Sequence, residues 1–168
     1  MEYIVDPLTQ GTLGAAWSQA GSAPKRLKQA AWLGVLGGIL PDADTLIRSS
    51  SDTLLFLEYH RHFSHSLVFI PVGGAIASVL GHVLSRRRIS IRDAYLPCTL
   101  GYASHGLLDS CTSYGTYLLW PFSDARLAWN NISIIDPLFT IPLLIAVILT
   151  VRKKSKRPLA LGLVWAAL

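Results

Sequence analysis

Three short segments of the sequence carry side chains that could bind a metal ion. They are LPDAD at residues 40–44, HRHFSHS at residues 60–66 and HGLLD at residues 105–109. Together they supply the carboxylate and imidazole groups of Asp42, Asp44, His60, His62, His65, His105 and Asp109. Carboxylate oxygens and imidazole nitrogens are donors that zinc and other divalent cations take from proteins. If these segments meet in the fold, the chemistry that they predict is metal binding.

Each segment also has a simpler explanation when it is considered alone. Two acids directly after Pro41 fit a solvated loop that follows a helix, and a histidine cluster can sense pH without binding metal. His105 and Asp109 are four residues apart, which places them on one helical face, where they can simply hydrogen-bond to each other. The metal hypothesis therefore depends on whether the three segments lie together.

The composition indicates an integral membrane protein. The chain has 168 residues, of which 51% are hydrophobic and 15% charged, and its mean hydropathy is +0.42, which is too apolar for a typical soluble domain. Residues 67–85 contain no charged side chain and are long enough to span the hydrocarbon core of a bilayer. Cys98 and Cys111 form no C-x-x-C pair, so a disulfide framework or a cysteine zinc site has little support.

The basic residues are concentrated in three clusters. Twelve of the fifteen lysines and arginines lie in residues 25–28, 86–92 and 152–157, and each cluster directly adjoins an apolar segment. Such clusters mark cytoplasmic loops under the positive-inside rule. Nucleic-acid binding is the alternative use of basic runs, but their position beside apolar segments favours a topology signal, so we expect no nucleic-acid partner.

With the basic clusters on the cytoplasmic side, the apolar segments predict an all-α, polytopic membrane helical bundle of about five to six membrane-embedded helices. The predicted segments are residues 8–24, 29–41, 67–85, 94–108, 132–151 and 158–168. They form one membrane-embedded domain over residues 1–168. The sixth segment stops after eleven residues, which favours a chain truncated at its C-terminus.

The same topology brings the three donor segments to the outer face of the membrane. Residues 42–66 and 109–131 form the two outer loops, and Ser64 is expected to cap the helix that begins at Leu67, with His65 in its first turn. His82 falls at the opposite, cytoplasmic end and is interpreted as an interfacial residue. The convergence of three separate segments on one face favours a metal site over three unrelated explanations.

The sequence resembles a family of bacterial inner-membrane proteins, the YdjM-type family, described as metal-dependent hydrolases. The stretches that carry the resemblance are DPLTQG, LPDAD, HRHFSHS, GYASHGLLDSCTSYGTYLLWPFS and IIDPLF, which cover roughly residues 6–151. The family is distantly similar to zinc-dependent phospholipase C. The resemblance implies metal-site roles for Asp42, Asp44, His60, His65, His105 and Asp109, and a multi-pass location in the inner membrane with the site facing the periplasm.

Two residues depart from the family pattern. His62 stands where the family usually has glycine, so it is either an extra ligand or a bystander. Gln10 stands where the family's DPLTH pattern has histidine. Because glutamine is a poor zinc ligand, this substitution puts a second metal ion, or activity itself, in question.

Our sequence hypothesis is a membrane-bound hydrolase that uses a divalent metal ion, with zinc favoured. The expected metal ligands are Asp42, His60, His65, His105 and Asp109, and the expected catalytic residues are Asp44 as base, Asp42 as ligand or bridge, and Arg61 as a phosphate-binding group. Aromatic residues of the second outer loop suit an interfacial belt, so the expected substrate is a phosphoester, either a membrane lipid or a lipid-linked molecule.

Two other classes of function remain open from the sequence. The histidines and aspartates can form the ion site of a metal-binding or transport component, although such proteins usually place ionisable groups within the spans rather than at their ends. Alternatively, the outer face is a non-catalytic module that senses pH or binds a partner, with Gln10 as a sign of lost catalysis.

Overall fold

The computed structural model describes residues 6–46 and 61–167. Six α-helices account for most of them: α1 Pro7–Ala20, α2 Leu27–Ile39, α3 Ile70–Leu84, α4 Ile91–Cys111, α5 Pro137–Lys153 and α6 Arg157–Ala166. Short 3₁₀ turns occupy Pro24–Arg26, Leu40–Leu46, Phe63–His65 and Leu67–Phe69. In these residues extended pairing is limited to one isolated bridge between Thr116 and Leu127. The all-α prediction is confirmed for this part of the chain.

Local capping signals decide where the helices begin. Asp6 caps α1 by accepting a hydrogen bond from the Leu8 N–H, and Pro7 takes the first helical position. Asp136 caps α5 in the same way, through the N–H of Phe139. The fifth segment therefore starts as a helix at Pro137, and the expectation that its helix extends back to residue 132 was wrong.

The turn before α3 also differs from the sequence expectation. Ser66, not Ser64, caps this segment, because the Ser66 hydroxyl accepts the hydrogen bond from the Phe69 N–H. Ser64 instead donates its hydroxyl to the carboxylate of Asp44. His65 consequently lies in a separate 3₁₀ turn just before the capped helix, with its side chain buried.

Glycines bring the backbones of α1, α2 and α4 into direct contact. A β-carbon at Gly34 of α2 would overlap the carbonyl oxygen of Gly14 of α1, and a β-carbon at Gly101 of α4 would overlap the carbonyl oxygen of Gly34. One turn further along, a β-carbon at Gly38 would lie 2.6 Å from the carbonyl oxygen of Gln10. Small residues at helix crossings permit this approach in apolar surroundings.

Polar side chains of α1 add hydrogen bonds to the other helices. Ser18 donates to the carbonyl oxygen of Pro97 at 2.6 Å, and the hydroxyls of Thr9 and Thr140 are 2.7 Å apart. Both contacts are buried. Because no water competes for such groups in an apolar environment, these bonds help to fix α1 against α4 and α5.

The three basic clusters lie at one end of the bundle. Arg26, in the connection between α1 and α2, forms a salt bridge with Asp93 in the first turn of α4. Lys156, in the connection between α5 and α6, donates to the carbonyl oxygen of Ala20 at the end of α1. The helices therefore alternate in direction, and the connections that follow α2 and α4 lie at the opposite end.

In the described part of the chain, one helical stretch is both long enough and apolar enough to cross a membrane, Leu67–Leu84. Its apolar side chains point outward, with Val72, Ile76, Val79 and Val83 about half exposed. By comparison, the 14 residues of α1 and the 13 residues of α2 reach only about 20 Å each. The six helical segments are confirmed, whereas the five to six membrane crossings stay a prediction.

We predict that Gly34→Ala lowers the free energy of unfolding by about 1–3 kcal/mol, since the added methyl group would meet the backbone of Gly14. Gly11→Ala is the matched control, because its β-carbon would lie 3.2 Å from a Val35 side-chain atom that can move. Thermal unfolding of both variants in detergent measures the difference. Equal midpoints for the two variants would contradict the backbone contact as a stability determinant.

Candidate metal centre

α4 positions His105 at the end of the bundle opposite the basic clusters, and α2 fixes the orientation of its ring. The His105 Nδ1 atom lies 2.6 Å from the carbonyl oxygen of Gly38. Because a carbonyl oxygen only accepts, Nδ1 must carry the proton and donate it, which leaves the lone pair of a neutral ring on Nε2. A backbone partner of this kind is typical of a metal-ligating histidine.

His65 faces His105 from the 3₁₀ turn before α3. The two Nε2 atoms are 2.9 Å apart, and both side chains are buried. Burial lowers the pKa of His65, but the adjacent Asp109 and Asp44 carboxylates outweigh it and raise the pKa to about 9. Without a metal ion, His65 therefore holds a proton at neutral pH, and a cation that binds there must displace it.

Two carboxylates flank the pair of imidazoles. The Asp42 Oδ1 atom is 3.3 Å from His105 Nε2 and 3.9 Å from His65 Nε2. From α4, the Asp109 Oδ2 atom is 3.2 Å from His65 Nε2 and 3.6 Å from His105 Nε2. The other oxygen of Asp42, Oδ2, is buried and accepts no hydrogen bond from the described residues.

These positions fit a single divalent cation. The candidate donor atoms of Asp42, His65 and His105 all lie within 4.8 Å of one another. Two donors bound to one zinc ion at about 2.0–2.2 Å lie no more than about 4.4 Å apart, and the three separations of 2.9, 3.3 and 3.9 Å satisfy this limit. The mixed nitrogen and oxygen donor set is one that zinc accepts. The prediction of a possible metal site is thus supported, without identifying the metal.

Gln10 and Arg61 hold Asp109 in place. The Gln10 side-chain amide donates to Asp109 Oδ1 at 2.8 Å, which directs Oδ2 toward the histidines. The Arg61 Nε atom lies 3.4 Å from Asp109 Oδ2, and both side chains are only 1% exposed. A buried carboxylate is costly unless it is paired and hydrogen-bonded, and these two partners supply that compensation.

Asp44 makes contacts that would orient the imidazole ring of His65. Its Oδ2 atom accepts hydrogen bonds from the Ser64 hydroxyl at 2.8 Å and the Arg61 N–H at 3.0 Å. The same oxygen is 3.3 Å from His65 Nδ1, on the far side of the ring from the other histidine. A carboxylate behind a metal-binding imidazole fixes its orientation and raises its basicity. The role of Asp44 as catalytic base stays a prediction.

Arg61, which contacts both Asp44 and Asp109, has a left-handed backbone conformation with φ 62°. This conformation costs about 1–3 kcal/mol for a residue other than glycine and persists only where contacts enforce it. Here the Arg61 carbonyl oxygen accepts from the Thr116 hydroxyl at 3.0 Å and from the Tyr117 N–H at 3.3 Å. The loop after α4 therefore helps to build the site.

The remaining histidines fall in different places. His60 lies outside the described residues, so its role as a ligand stays a prediction. His62 packs beside the rings of Tyr117 and Trp120, with centroids 5.1 and 5.5 Å away, and is not among the clustered donors. The Nδ1 atom of His82 is 2.7 Å from the carbonyl oxygen of Ile89, at the basic end of the bundle.

Sequence reasoning missed the supporting roles of Gln10, Gly38 and Ser64. Gln10 was noted only as a departure from the family pattern, although a glutamine in an apolar helix is a signal that its side chain meets another polar group. Gly38 contributes through its carbonyl oxygen, which no side-chain pattern reveals. Ser64 was assigned to a helix cap, a role for which the neighbouring Ser66 competes.

Access to the centre is on the Asp42 side. Asp42 is 12% exposed at its side chain, whereas the His65 and His105 side chains are fully buried. An apolar groove of about 680 Å³ opens beside Asp42, and its walls include Trp32, Leu36 and Leu84. A ligand approaching from this direction would meet Asp42 first.

Comparison with known proteins identifies the family of this chain. Residues 5–168 match the family described as YdjM inner membrane protein. The chain belongs to the YdjM inner membrane protein family. The resemblance inferred from the sequence is thereby confirmed, and the protein is a member of a family named for its membrane location.

A curated relative is also named as an inner membrane protein. The chain is 37% identical over 97 residues to Inner membrane protein YbcI of Escherichia coli (strain K12). The match covers 55% of this chain and 54% of the relative, so it spans about half of the relative's length. No solved structure matches this member of the YdjM family.

We predict that the His65→Ala, His105→Ala double variant loses bound metal, because it removes both nitrogen donors of the centre. Mass spectrometry of detergent-purified protein measures the metal content of the variant and of the unmodified chain. His82→Ala is the control, since His82 lies at the other end of the bundle. Equal metal content in all three proteins, or none in any, would contradict the assignment.

We predict that Gln10→Ala weakens metal affinity by about 10–100-fold, because Asp109 loses the amide that directs it. Gln19→Ala removes another buried, hydrogen-bonded glutamine of the same helix, whose contacts are to Leu27 and Val147. A competition titration with a chelator compares the two. If both variants lose affinity equally, the effect is one of general destabilisation and not of Asp109 positioning.

Proposed function

We propose that this protein is a membrane-bound, metal-dependent hydrolase that acts on a phosphoester, carried by a membrane lipid or a lipid-linked molecule, at the outer face of the membrane. The observation that carries the proposal is the buried convergence of two imidazole nitrogens with the carboxylates of Asp42 and Asp109. Without a metal ion, the protonated His65 ring donates the 2.9 Å hydrogen bond to His105 Nε2, and a cation bound between the rings would replace that proton.

In this proposal His65, His105 and Asp42 hold the metal ion, and Asp109 completes the set. Zinc is the favoured ion because nitrogen and oxygen donors are mixed. A bound zinc ion would polarise a phosphoryl or acyl oxygen and lower the pKa of a water molecule. The buried Oδ2 atom of Asp42 makes no hydrogen bond to the described residues, so it is placed to accept a proton beside the ion.

Arg61 supplies the positive charge of the site. Its guanidinium group is buried against Asp109 and lies 5.4 Å from the centre of the Tyr114 ring. Arginine recognises phosphate oxygens through several N–H groups in one plane. We assign Arg61 the role of stabilising charge on a substrate phosphate. Asp44 would fix the positions of the Arg61 backbone and the His65 ring.

The lipid character of the substrate is supported by the surface around the site. The apolar groove of about 680 Å³ beside Asp42 suits an acyl or prenyl chain. In the loop between α4 and α5, Phe122 is 85% exposed and Trp129 is 53% exposed. Exposed aromatic side chains favour the headgroup region of a bilayer, which would keep this loop at the membrane surface.

A multi-pass topology accounts for the two unlike ends of the bundle. The basic connections meet at one end through the Arg26–Asp93 and Lys156–Ala20 contacts, and the candidate metal centre lies at the other. Under the positive-inside rule the basic end faces the cytoplasm. In a bacterial inner membrane the centre would then face the periplasm.

We predict that purified protein loaded with zinc hydrolyses members of a panel of phosphodiesters, phospholipids and lipid-linked diphosphates. Asp42→Asn should lower turnover by about 10²-fold or more, because it removes both a ligand charge and the candidate proton acceptor. Asp124→Asn is the matched control, since Asp124 is an exposed acid of the outer loop. Phosphate or headgroup release is the readout.

Negative results in these assays would distinguish the other classes of function. Stoichiometric metal in a folded protein that hydrolyses no member of the panel would sink the hydrolase proposal and favour an ion-binding or transport component. Equal turnover in wild type and Asp42→Asn would show that the hydrolysis comes from elsewhere. Absence of metal under all loading conditions would favour a sensing or partner-binding role for the histidines.

A further inference from the structure

A second groove lies between α5 and α6, and its lining shares no residue with the groove beside Asp42. Its volume is about 620 Å³. The groove exists because small residues form its floor: Gly162 of α6 packs so closely against Ala146 of α5 that a β-carbon on the glycine would overlap the alanine methyl group. Larger apolar side chains, among them Ile145 and Leu161, form the walls.

The two ends of this groove differ in chemistry. Pro142, Ile145 and Leu149 of α5 line the apolar part of the groove. Lys153 at the end of α5, with Ser155 and Arg157 beyond it, lines the polar end. No acidic residue of the described chain lines the groove. The polar end is therefore a cationic site, and the rest of the groove is apolar.

The length of the groove matches one leaflet of a bilayer. From Pro142 to Lys153 the helix rises about 16 Å, which is about half of the 30 Å hydrocarbon thickness. An occupant that satisfies both regions needs an apolar chain of this length attached to an anionic group. A free anion would leave the apolar walls without a partner, and a second copy of the chain would bring its own Lys153 and Arg157 to a surface that is already cationic.

We propose that this groove binds one anionic phospholipid. Lys153 and Arg157 contact the phosphate of the headgroup, together with the Ser155 hydroxyl, and one acyl chain lies along Ile145, Leu149 and Leu161. The site is at the basic end of the bundle, which in the topology proposed above lies in the leaflet opposite to the candidate metal centre. Its occupancy is thus independent of the hydrolase proposal.

The test uses the full chain, purified in detergent and stripped of lipid, in native mass spectrometry. Phosphatidylglycerol and phosphatidylcholine with identical acyl chains are titrated separately. We expect one molecule of phosphatidylglycerol to be retained with clear preference over phosphatidylcholine. The Lys153→Gln, Arg157→Gln variant should bind phosphatidylglycerol about thirtyfold more weakly, because two cations near the anionic group are removed.

Two further variants separate this site from general attraction to basic surfaces. Arg86→Gln, Arg87→Gln removes the same charge from the connection between α3 and α4 and should leave the affinity unchanged. Ile145→Trp fills the apolar part of the groove and should release the lipid while the cations remain. Glycerol phosphate, which lacks acyl chains, should not compete.

Several results would overturn the proposal. They are equal affinity for the two lipids, an equal loss in the two charge variants, retention of lipid by Ile145→Trp at wild-type affinity, and competition by glycerol phosphate as strong as that by the lipid. A dimer that forms in detergent and disappears in Ile145→Trp would assign the groove to a second copy of the chain.

Discussion

The close contact of α1, α2 and α4 is the constraint on which the candidate centre depends. Where Gly14, Gly34 and Gly101 meet, no side chain separates the three backbones. This short separation lets the Gly38 carbonyl oxygen of α2 accept a hydrogen bond from His105 on α4. It also lets Gln10 of α1 reach Asp109. Packing at the glycines thus sets the orientation of donor groups one or two turns away. In lipid, helices gain no hydrophobic free energy when they associate, so close van der Waals packing and interhelical hydrogen bonds must hold them together.

Two of the buried aspartates at the centre are stabilised by neighbouring donor groups. Asp109 is held by Gln10 and Arg61, and Asp44 by the Ser64 hydroxyl and the Arg61 N–H. Removal of one partner would leave a buried charge uncompensated, which costs several kcal/mol in general. The arrangement is also unbalanced, because the Oδ2 atoms of Asp42 and Asp109 are buried and accept no hydrogen bond from the described residues. A cation at the centre would supply the missing positive charge.

The sequence predicted the parts of this structure that follow from periodicity and charge. Six apolar segments became six helices, and the basic clusters indicated which helix ends lie together. The spacing of His105 and Asp109 placed both on one face of α4, where they do meet the same partner, His65. What failed depended on competition between neighbours: Ser66 displaced Ser64 as the cap, and Asp136 ended the backward extension of α5. Backbone acceptors such as Gly38 follow from packing that no local pattern encodes.

The grouping of basic connections at one end has a consequence for how the protein sits in an energised membrane. Twelve of the fifteen lysines and arginines lie in these three connections or in the adjoining helix ends. A bacterial membrane is electrically negative on its cytoplasmic side, and moving one charge across it costs about 2.3 kcal/mol for each 100 mV. Carrying several cations outward together would therefore cost far more than thermal energy supplies. In the topology proposed above, the electrical field that drives transport in such membranes would also keep the Asp42 side of the bundle facing outward after insertion.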